Sequence, residues 1–91
     1  MQNKELTKEE VKIILQFNNS DVVRLLLSIV NLREKESLII NYVDIKGKTQ
    51  EETAEVMNCS VKTIYNHREK ALKKIGKALK ENNLVFSILS E

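Results

Sequence analysis

Proline is absent from the whole chain of 91 residues, and glycine occurs only twice. These two residues are the strongest helix breakers, so a chain almost without them can be helical over most of its length. Apolar residues also recur at spacings of three and four, the period of an amphipathic helix, and strand-like alternation is scarce. We therefore predict an all-α fold, a small bundle of about five helices.

Helix starts are marked by a side-chain oxygen followed three residues later by a carboxylate, because each group then satisfies an unpaired backbone amide. Three pairs with this spacing mark predicted helix starts: Thr7 with Glu10, Asn31 with Glu34, and Thr49 with Glu52. Ser20 and Ser60 are simple N-caps. The predicted helices cover about 7–17, 20–30, 31–44, 49–57 and 61–82, the last continuing through Gly76.

The apolar spacing also predicts which residues face the core. The first helix should bury Val11, Ile14 and Leu15. The third should bury Leu38, Ile39, Tyr42 and Val43. On the last helix the residues within about 80° of Ile64 form an inward stripe: Val61, Ala71, Leu72, Ile75 and Leu79.

The fourth and fifth helices form a corner typical of a helix-turn-helix, with no wing. Ala54 is small enough for the two helices to cross closely, and Asn58 tolerates the left-handed backbone that the three-residue turn requires. Gly47 marks the preceding turn. Any small helical bundle could contain a similar corner, so its spacing alone does not decide the function.

Positive charge is concentrated in the last helix. Ser60 to Lys80 contains seven basic residues and one acidic residue, a net charge of +6 in a chain whose total is only +2. The rest of the chain is therefore mildly acidic. This asymmetry favours a polyanionic partner, although a solvated lysine face kept for solubility is the simpler alternative.

Polar residues occupy the side of the last helix opposite the apolar stripe, a geometry that suits a DNA major groove. Lys62 is the first candidate for a base contact, to guanine, and Asn66 has the donor and acceptor pair that adenine requires. Tyr65 packs either on a sugar or thymine methyl or on the edge of the core. Glu69 either accepts from cytosine or pairs with Lys73.

Candidate phosphate contacts surround these base contacts. Hydroxyls and free amides at a helix start can bind a phosphate, and lysines attract the backbone. The candidates are Lys46, Lys48, Ser60, Thr63, Lys70, Lys73 and Lys74. Capping alone explains Ser60 almost as well, and His67 is interpreted as a packing residue at the edge of the apolar stripe.

The stretch from Leu32 to Gly76 resembles the DNA-binding helix-turn-helix of sigma factor region 4 and is similar to the domain of LuxR-type transcription activators. LREKE from Leu32 matches the opening of both families. SVKTIYNHREKALKKIG from Ser60 fits the LuxR-type pattern, and its KALKKI fits the end of the sigma recognition helix. Two positions depart from the pattern: Thr53 replaces a branched apolar residue, and Asn58 replaces a glycine. The resemblance implies a free-standing DNA-binding module.

The second helix is too apolar for a helix with one solvated face. We predict that it is covered from a second side, either in a homodimer or by the chain's own tail. The residues expected at such an interface are Val22, Leu25, Leu26 and Ile29, with Val85, Phe86, Ile88 and Leu89 of the tail. We divide the chain into a helical extension (1–30), a helix-turn-helix domain (31–83) and an apolar tail (84–91).

Other classes of function find little support. No nucleophile with its base, no paired carboxylates and no glycine-rich phosphate loop point to an enzyme, and we expect no cofactor. A single cysteine, Cys59, permits neither an internal disulfide nor a cysteine-based zinc cluster. The apolar runs are far shorter than a membrane span, and the N-terminus has no apolar signal core. We expect a cytoplasmic protein of bacterial, phage or plasmid origin, bound to the nucleoid.

These observations predict a sequence-specific regulator that binds double-stranded DNA through a recognition helix at about 61–75. The alternative is a protein-interaction module of the same fold that docks on RNA polymerase or on a regulatory partner without strong affinity for DNA.

Overall fold

The computed structural model describes residues 6–17 and 19–81, and these form helices and turns without a strand. The elements in chain order are α1 (Lys8–Phe17), α2 (Ser20–Ile29), α3 (Glu34–Ile40), a π-helical turn (Asn41–Ile45), α4 (Gln50–Val56) and α5 (Val61–Glu81). The predicted all-α class is therefore confirmed. No helix in this part of the chain combines the length and apolar character needed to cross a membrane.

Two of the predicted helix starts are confirmed in detail. At α1 the Thr7 amide donates to Glu10 Oε1 at 2.8 Å, and the Glu10 amide donates to Thr7 Oγ1 at 3.1 Å. At α4 the Thr49 amide donates to Glu52 Oε1 at 2.9 Å, and the Glu52 amide donates to Thr49 Oγ1 at 3.0 Å. Each pair satisfies two amides that the first helical turn leaves unpaired.

The starts of α2 and α3 differ from the prediction. Asn19, not Ser20, caps α2, with Asn19 Oδ1 accepting from the Asp21 amide at 2.7 Å. The predicted pair of Asn31 with Glu34 was wrong, because α3 begins at Glu34 itself and Arg33 precedes it. The Arg33 amide donates to Glu36 Oε1 at 2.8 Å, so Glu36 acts as the carboxylate at the third helical position.

The third helix continues to Ile45, but its last residues form a π-helical turn. Ile39 and Ile40 are fully buried, whereas Leu38 is 41% exposed and Tyr42 and Val43 are only half-buried. The predicted inward face was therefore wrong at Leu38 and missed Ile40. The wider turn affects only the positions within it, such as Tyr42 and Val43, because Leu38 and Ile40 precede it.

The buried apolar residues form two clusters. The larger one joins α1, α2 and the second half of α5 and includes Val11, Leu15, Val23, Leu26 and Leu72. The smaller one lies inside the helix-turn-helix corner, where Ile39, Ala54 and Ile64 pack together with half-buried Cys59 at its edge. The corner therefore has its own apolar core, which holds the two helices in a fixed arrangement.

Helix α5 passes through Gly76 without a break, as predicted. Its predicted stripe is buried at Ile64, Ala71, Leu72, Ile75 and Leu79, whereas Val61 is 40% exposed and does not belong to it. A Cβ on Gly76 would lie 2.6 Å from the Leu6 carbonyl oxygen. Glycine is therefore required here because the backbone before α1 approaches α5 closely.

Candidate nucleic-acid interface

The turn between α4 and α5 has the backbone that the sequence predicts. Asn58 has a φ of 55°, the left-handed conformation that asparagine tolerates better than most residues. The Cys59 amide donates to the Ala54 carbonyl at 3.0 Å, which closes the turn. Gly47, in the turn before α4, has a φ of 76°. Helix α5 therefore begins at a fixed angle to α4.

Ser60 caps α5. Its Oγ accepts from the Thr63 amide at 3.1 Å and lies 2.9 Å from Thr63 Oγ1. The capping interpretation of Ser60 is thus confirmed. The first-turn amides of a helix have no intrahelical acceptor, so the start of α5 keeps N–H groups that a phosphate oxygen can accept from.

The side chains predicted to contact bases share one face of α5. Lys62 and Asn66 are exposed, and Tyr65 is 50% exposed, so Tyr65 does not simply cover the core. Tyr65 and Asn66 follow Lys62 by three and four residues, so both are neighbours of Lys62 on the helix surface. No described part of the chain covers this face.

Glu69 has a partner that the sequence did not predict. Its carboxylate accepts a short hydrogen bond from Lys8 Nζ at the start of α1, and not from Lys73 as expected. The hydrogen bond from Lys8 to Glu69 raises the pKa of Lys8. The first helix therefore lies along one side of the polar face.

The lysines predicted to contact phosphate are only partly alike. Lys70, Lys73 and Lys48 are exposed and have no ion-pair partner among the described residues. Lys46 Nζ lies 5.4 Å from the centroid of the Tyr42 ring, within cation–π range. Lys74 differs from all of these, because its Nζ lies 2.8 Å from Glu36 Oε1.

The Glu36–Lys74 pair connects α3 to α5. The Glu36 side chain is 2% exposed and that of Lys74 is 40% exposed. Burial raises the pKa of Glu36, but hydrogen bonds from Lys74 and from the Arg33 amide outweigh it and hold this pKa below its usual value. The structure therefore corrects the expectation for Lys74, whose ammonium compensates a buried carboxylate of the fold.

A second buried pair was not predicted at all. Arg68 Nε and Nη2 donate to the two carboxylate oxygens of Asp44 at 3.0 and 2.6 Å, and both side chains are largely buried. The hydrogen bond to Asp44 raises the pKa of Arg68 despite the opposing effect of burial. This bidentate pair fastens the π-helical turn to the recognition helix. The two residues are 24 positions apart, and nothing local in the sequence indicates their contact.

The face predicted for dimerisation is partly available. Leu25 and Ile29 on α2 are 63% and 50% exposed, and Val22 is half-buried. Leu26 was assigned wrongly, because it is 2% exposed and lies inside the larger core cluster. The tail residues Val85, Phe86, Ile88 and Leu89 lie outside the described residues.

The described residues bring no three histidine, cysteine, aspartate or glutamate side chains together in a group able to hold a metal ion. The arrangement instead presents a capped helix, a compact corner and an exposed polar face, which define the class of helix-turn-helix proteins.

Comparison with protein families identifies the branch of that class. Residues 23–75 match the family model described as Sigma-70, region 4, which covers more than half of the chain. The protein belongs to the sigma-70 region 4 family, a group of non-enzymatic domains that bind DNA and RNA polymerase in transcription. Searches of curated proteins and of solved structures find no match. The resemblance to LuxR-type activators stays a prediction, as does the division of the chain at residues 30 and 83.

Proposed function

We propose that the protein is a transcriptional regulator that binds double-stranded DNA sequence-specifically through α5. The observation that carries the proposal is the exposed face of Lys62, Tyr65 and Asn66 beside a corner with its own apolar core. Membership of the sigma-70 region 4 family supports a role in transcription. Such a regulator acts in the cytoplasm, at the nucleoid.

The first half of α5 supplies the base contacts. The Lys62 ammonium donates to guanine O6 and N7, and the Asn66 amide matches the N6 and N7 edge of adenine. Tyr65 packs against a thymine methyl or a sugar. Glu69 contributes at most a secondary contact, since Lys8 already neutralises its carboxylate at Oε1.

Phosphate contacts surround the base contacts. Ser60 and Thr63 lie at the start of α5, where helix geometry leaves amides for a phosphate oxygen. Lys46 and Lys48 flank the turn before α4, and Lys70 and Lys73 follow the base contacts along α5. These residues are exposed except for Thr63, which is half-buried. We leave Lys74 out of this set because of its bond to Glu36.

The proposal is tested by selecting bound sequences from a random duplex pool and titrating the selected duplex against variants by fluorescence anisotropy. Lys62→Ala and Asn66→Ala should each reduce the preference for the selected sequence by about 5- to 160-fold, which corresponds to about 1–3 kcal/mol per base contact. Lys35→Ala is the matched control, since Lys35 is an exposed lysine on α3. Equal effects of all three substitutions would contradict the assignment to the major groove.

A second function is favoured by exposed apolar residues on α2 and α3. Leu25, Ile29 and Leu38 are 63%, 50% and 41% exposed, which suits a protein partner such as RNA polymerase. Retention of polymerase by the purified protein after nuclease treatment would support this function, particularly if Leu38→Glu abolished it. Tight, salt-sensitive binding to the selected duplex would instead support the proposed DNA-binding function.

The same face is also the proposed homodimer interface, now limited to Val22, Leu25 and Ile29 together with the tail. A dimer would present two recognition helices to a pseudopalindromic site. Sedimentation equilibrium of the wild type and of Leu25→Glu distinguishes a dimer from a monomer. A dimer should dissociate on this substitution and halve its mass, whereas the mass of a monomer stays the same.

A further inference from the structure

A cavity of about 450 Å³ opens between the start of α3 and the second half of α5. Among the described residues that line it, Glu36 is the one carboxylate and the other six are basic. Four of these have no ion-pair partner among the described residues: Arg33, Lys70, Lys73 and Lys77. Lys70 and Lys73 belong to the proposed DNA contacts, but Arg33, Lys77 and the half-buried His67 have no role in them.

The described lining of the cavity is strongly positive because its one carboxylate is already neutralised. Glu36 Oε1 lies 2.8 Å from Lys74 Nζ and accepts from the Arg33 amide at 2.8 Å. The pair therefore contributes almost no net charge, and the remaining four cations repel one another. A bound anion would remove this repulsion.

The wall of the cavity is also held in place. Arg33 immediately precedes α3, and its backbone is fixed by the hydrogen bond to buried Glu36. The lysines belong to α5, whose inner face is packed into the larger core cluster. A rigid guanidinium fork together with flexible ammonium groups is the combination that proteins use for phosphate oxygens.

We propose that this cavity binds a multiply charged phosphate group. Its volume lies within the range of about 300–1,000 Å³ that is usual for small-molecule sites, so the group has room to carry a nucleoside. Two sources present the same chemistry: a free phosphorylated molecule such as a nucleotide, and the backbone of a bound duplex. The second source rests on the proposed function and the first does not.

The position of the cavity favours the free molecule. Lys77 follows Lys62 by 15 residues, about 22 Å along the helix axis, and the major groove is only about 12 Å wide. When Lys62 and Asn66 contact bases, the Lys77 end of the cavity therefore lies outside the groove. A phosphorylated ligand bound at Arg33 and Lys77 would then leave Lys62 and Asn66 to the duplex and would share only Lys70 and Lys73 with it.

The test is titration of the full-length protein with inorganic pyrophosphate and with ATP, at constant ionic strength, by isothermal calorimetry. The double variant Arg33→Gln, Lys77→Gln should weaken binding of both probes by at least about tenfold. Its matched control is Arg24→Gln, Lys12→Gln, which removes one arginine and one lysine outside the cavity and should change affinity by less than about twofold. Circular dichroism confirms that both variants fold. Equal weakening by the two double variants, or no binding to the wild type, would overturn the proposal.

A second titration identifies the source of the phosphate. If pyrophosphate binds the protein–duplex complex and leaves the duplex in place, the site takes a free molecule. If it displaces the duplex, and the Arg33, Lys77 variant also loses duplex affinity, the site takes the DNA backbone. The protein could also bind pyrophosphate through Arg33 and Lys77 and have no affinity for any duplex. This result would refute the proposed DNA-binding function and support the phosphate site.

Discussion

The basic side chains on the two sides of α5 differ in whether they have a carboxylate partner. On the sides that face the rest of the protein, Arg68 and Lys74 are paired with the buried carboxylates of Asp44 and Glu36. On the outward side, Lys62 and Lys73 are exposed, without such partners in the described chain. The charge of +6 counted over Ser60 to Lys80 therefore combines cations that hold the fold with cations available to a ligand.

This difference shows that the net charge of a helix does not measure its attraction for a polyanion. A cation beside a buried carboxylate is already neutralised, and losing it leaves an unpaired charge in a poorly solvated place. A cation on the open side has lost little solvation, so removing it affects binding more than folding. Substitutions on the two sides should therefore separate stability from affinity.

The largest expected effect is on the inner side, at Asp44. Asp44→Ala leaves Arg68 buried without its bidentate partner, and removal of one member of a buried ion pair costs about 3–5 kcal/mol. We expect the free energy of unfolding in urea to fall by that amount. Lys62→Ala on the outer side is the control and should change it by less than about 0.5 kcal/mol. A loss at Asp44 no larger than the control would remove the distinction between the two sides.

The next effect concerns Lys74. Lys74→Ala leaves the Glu36 carboxylate with only the Arg33 amide as donor, and an under-satisfied buried group costs about 1–3 kcal/mol. Lys73→Ala is the matched control, one residue away and exposed. Urea unfolding at neutral pH should show a lower free energy of unfolding for Lys74→Ala and not for Lys73→Ala. If the two alanine variants are equally stable, the bond between Lys74 and Glu36 has no role in the fold.

The same pair predicts a pH dependence. The pKa of Glu36 in the folded protein lies below its usual value of 4.5, so its stabilising contribution is present above about pH 4.5 and is lost as the pH falls through the folded-state pKa. Glu36→Gln should therefore reduce the slope of unfolding free energy against pH in this acid range. Some slope should remain, because the Thr49 amide also lowers the pKa of Glu52. An unchanged slope would show that Glu36 is not stabilised as a carboxylate.

A smaller effect is expected where α1 meets the side of α5. Gly76→Ala gains about 1 kcal/mol of helix propensity, but its Cβ would lie 2.6 Å from the Leu6 carbonyl oxygen, and overpacking costs about 1–3 kcal/mol. We expect a net loss of about 1 kcal/mol and faster amide hydrogen exchange in α1. Ala78→Gly, on the same helix, loses propensity without a clash and serves as the control. Increased stability in Gly76→Ala would mean that α1 does not depend on this close approach.

The sequence was sufficient where structure depends on neighbouring residues. The capping pairs at Thr7 and Thr49 and the turn at Asn58 follow from spacings of a few residues, and all three were predicted. The contacts that set the sides of α5 apart join residues 24, 38 and 61 positions apart. The helical period places Lys73 opposite the apolar stripe and Lys74 at its edge, but no local pattern indicates that the partner of Lys74 is Glu36, 38 positions away. The start of α3 was misplaced for a different reason: Arg33 precedes the helix without a side-chain oxygen, so the search for such an oxygen before a carboxylate passed over Arg33 and Glu36.

The smallest effect, and the sharpest test of the difference between the two sides of α5, is expected at Lys73 and Lys74 in the salt dependence of DNA binding. Each phosphate neutralised contributes about 0.9 to the slope of log affinity against log salt concentration, and a neutralised lysine contributes little. Lys73→Ala should therefore lower the magnitude of this slope by about 0.9 for selected and unrelated duplexes alike. Lys74→Ala, measured at a temperature where circular dichroism shows it fully folded, should change the slope by much less. Anisotropy titrations between 50 and 200 mM salt measure both, and equal changes would mean that Lys74 leaves Glu36 to contact the phosphate backbone.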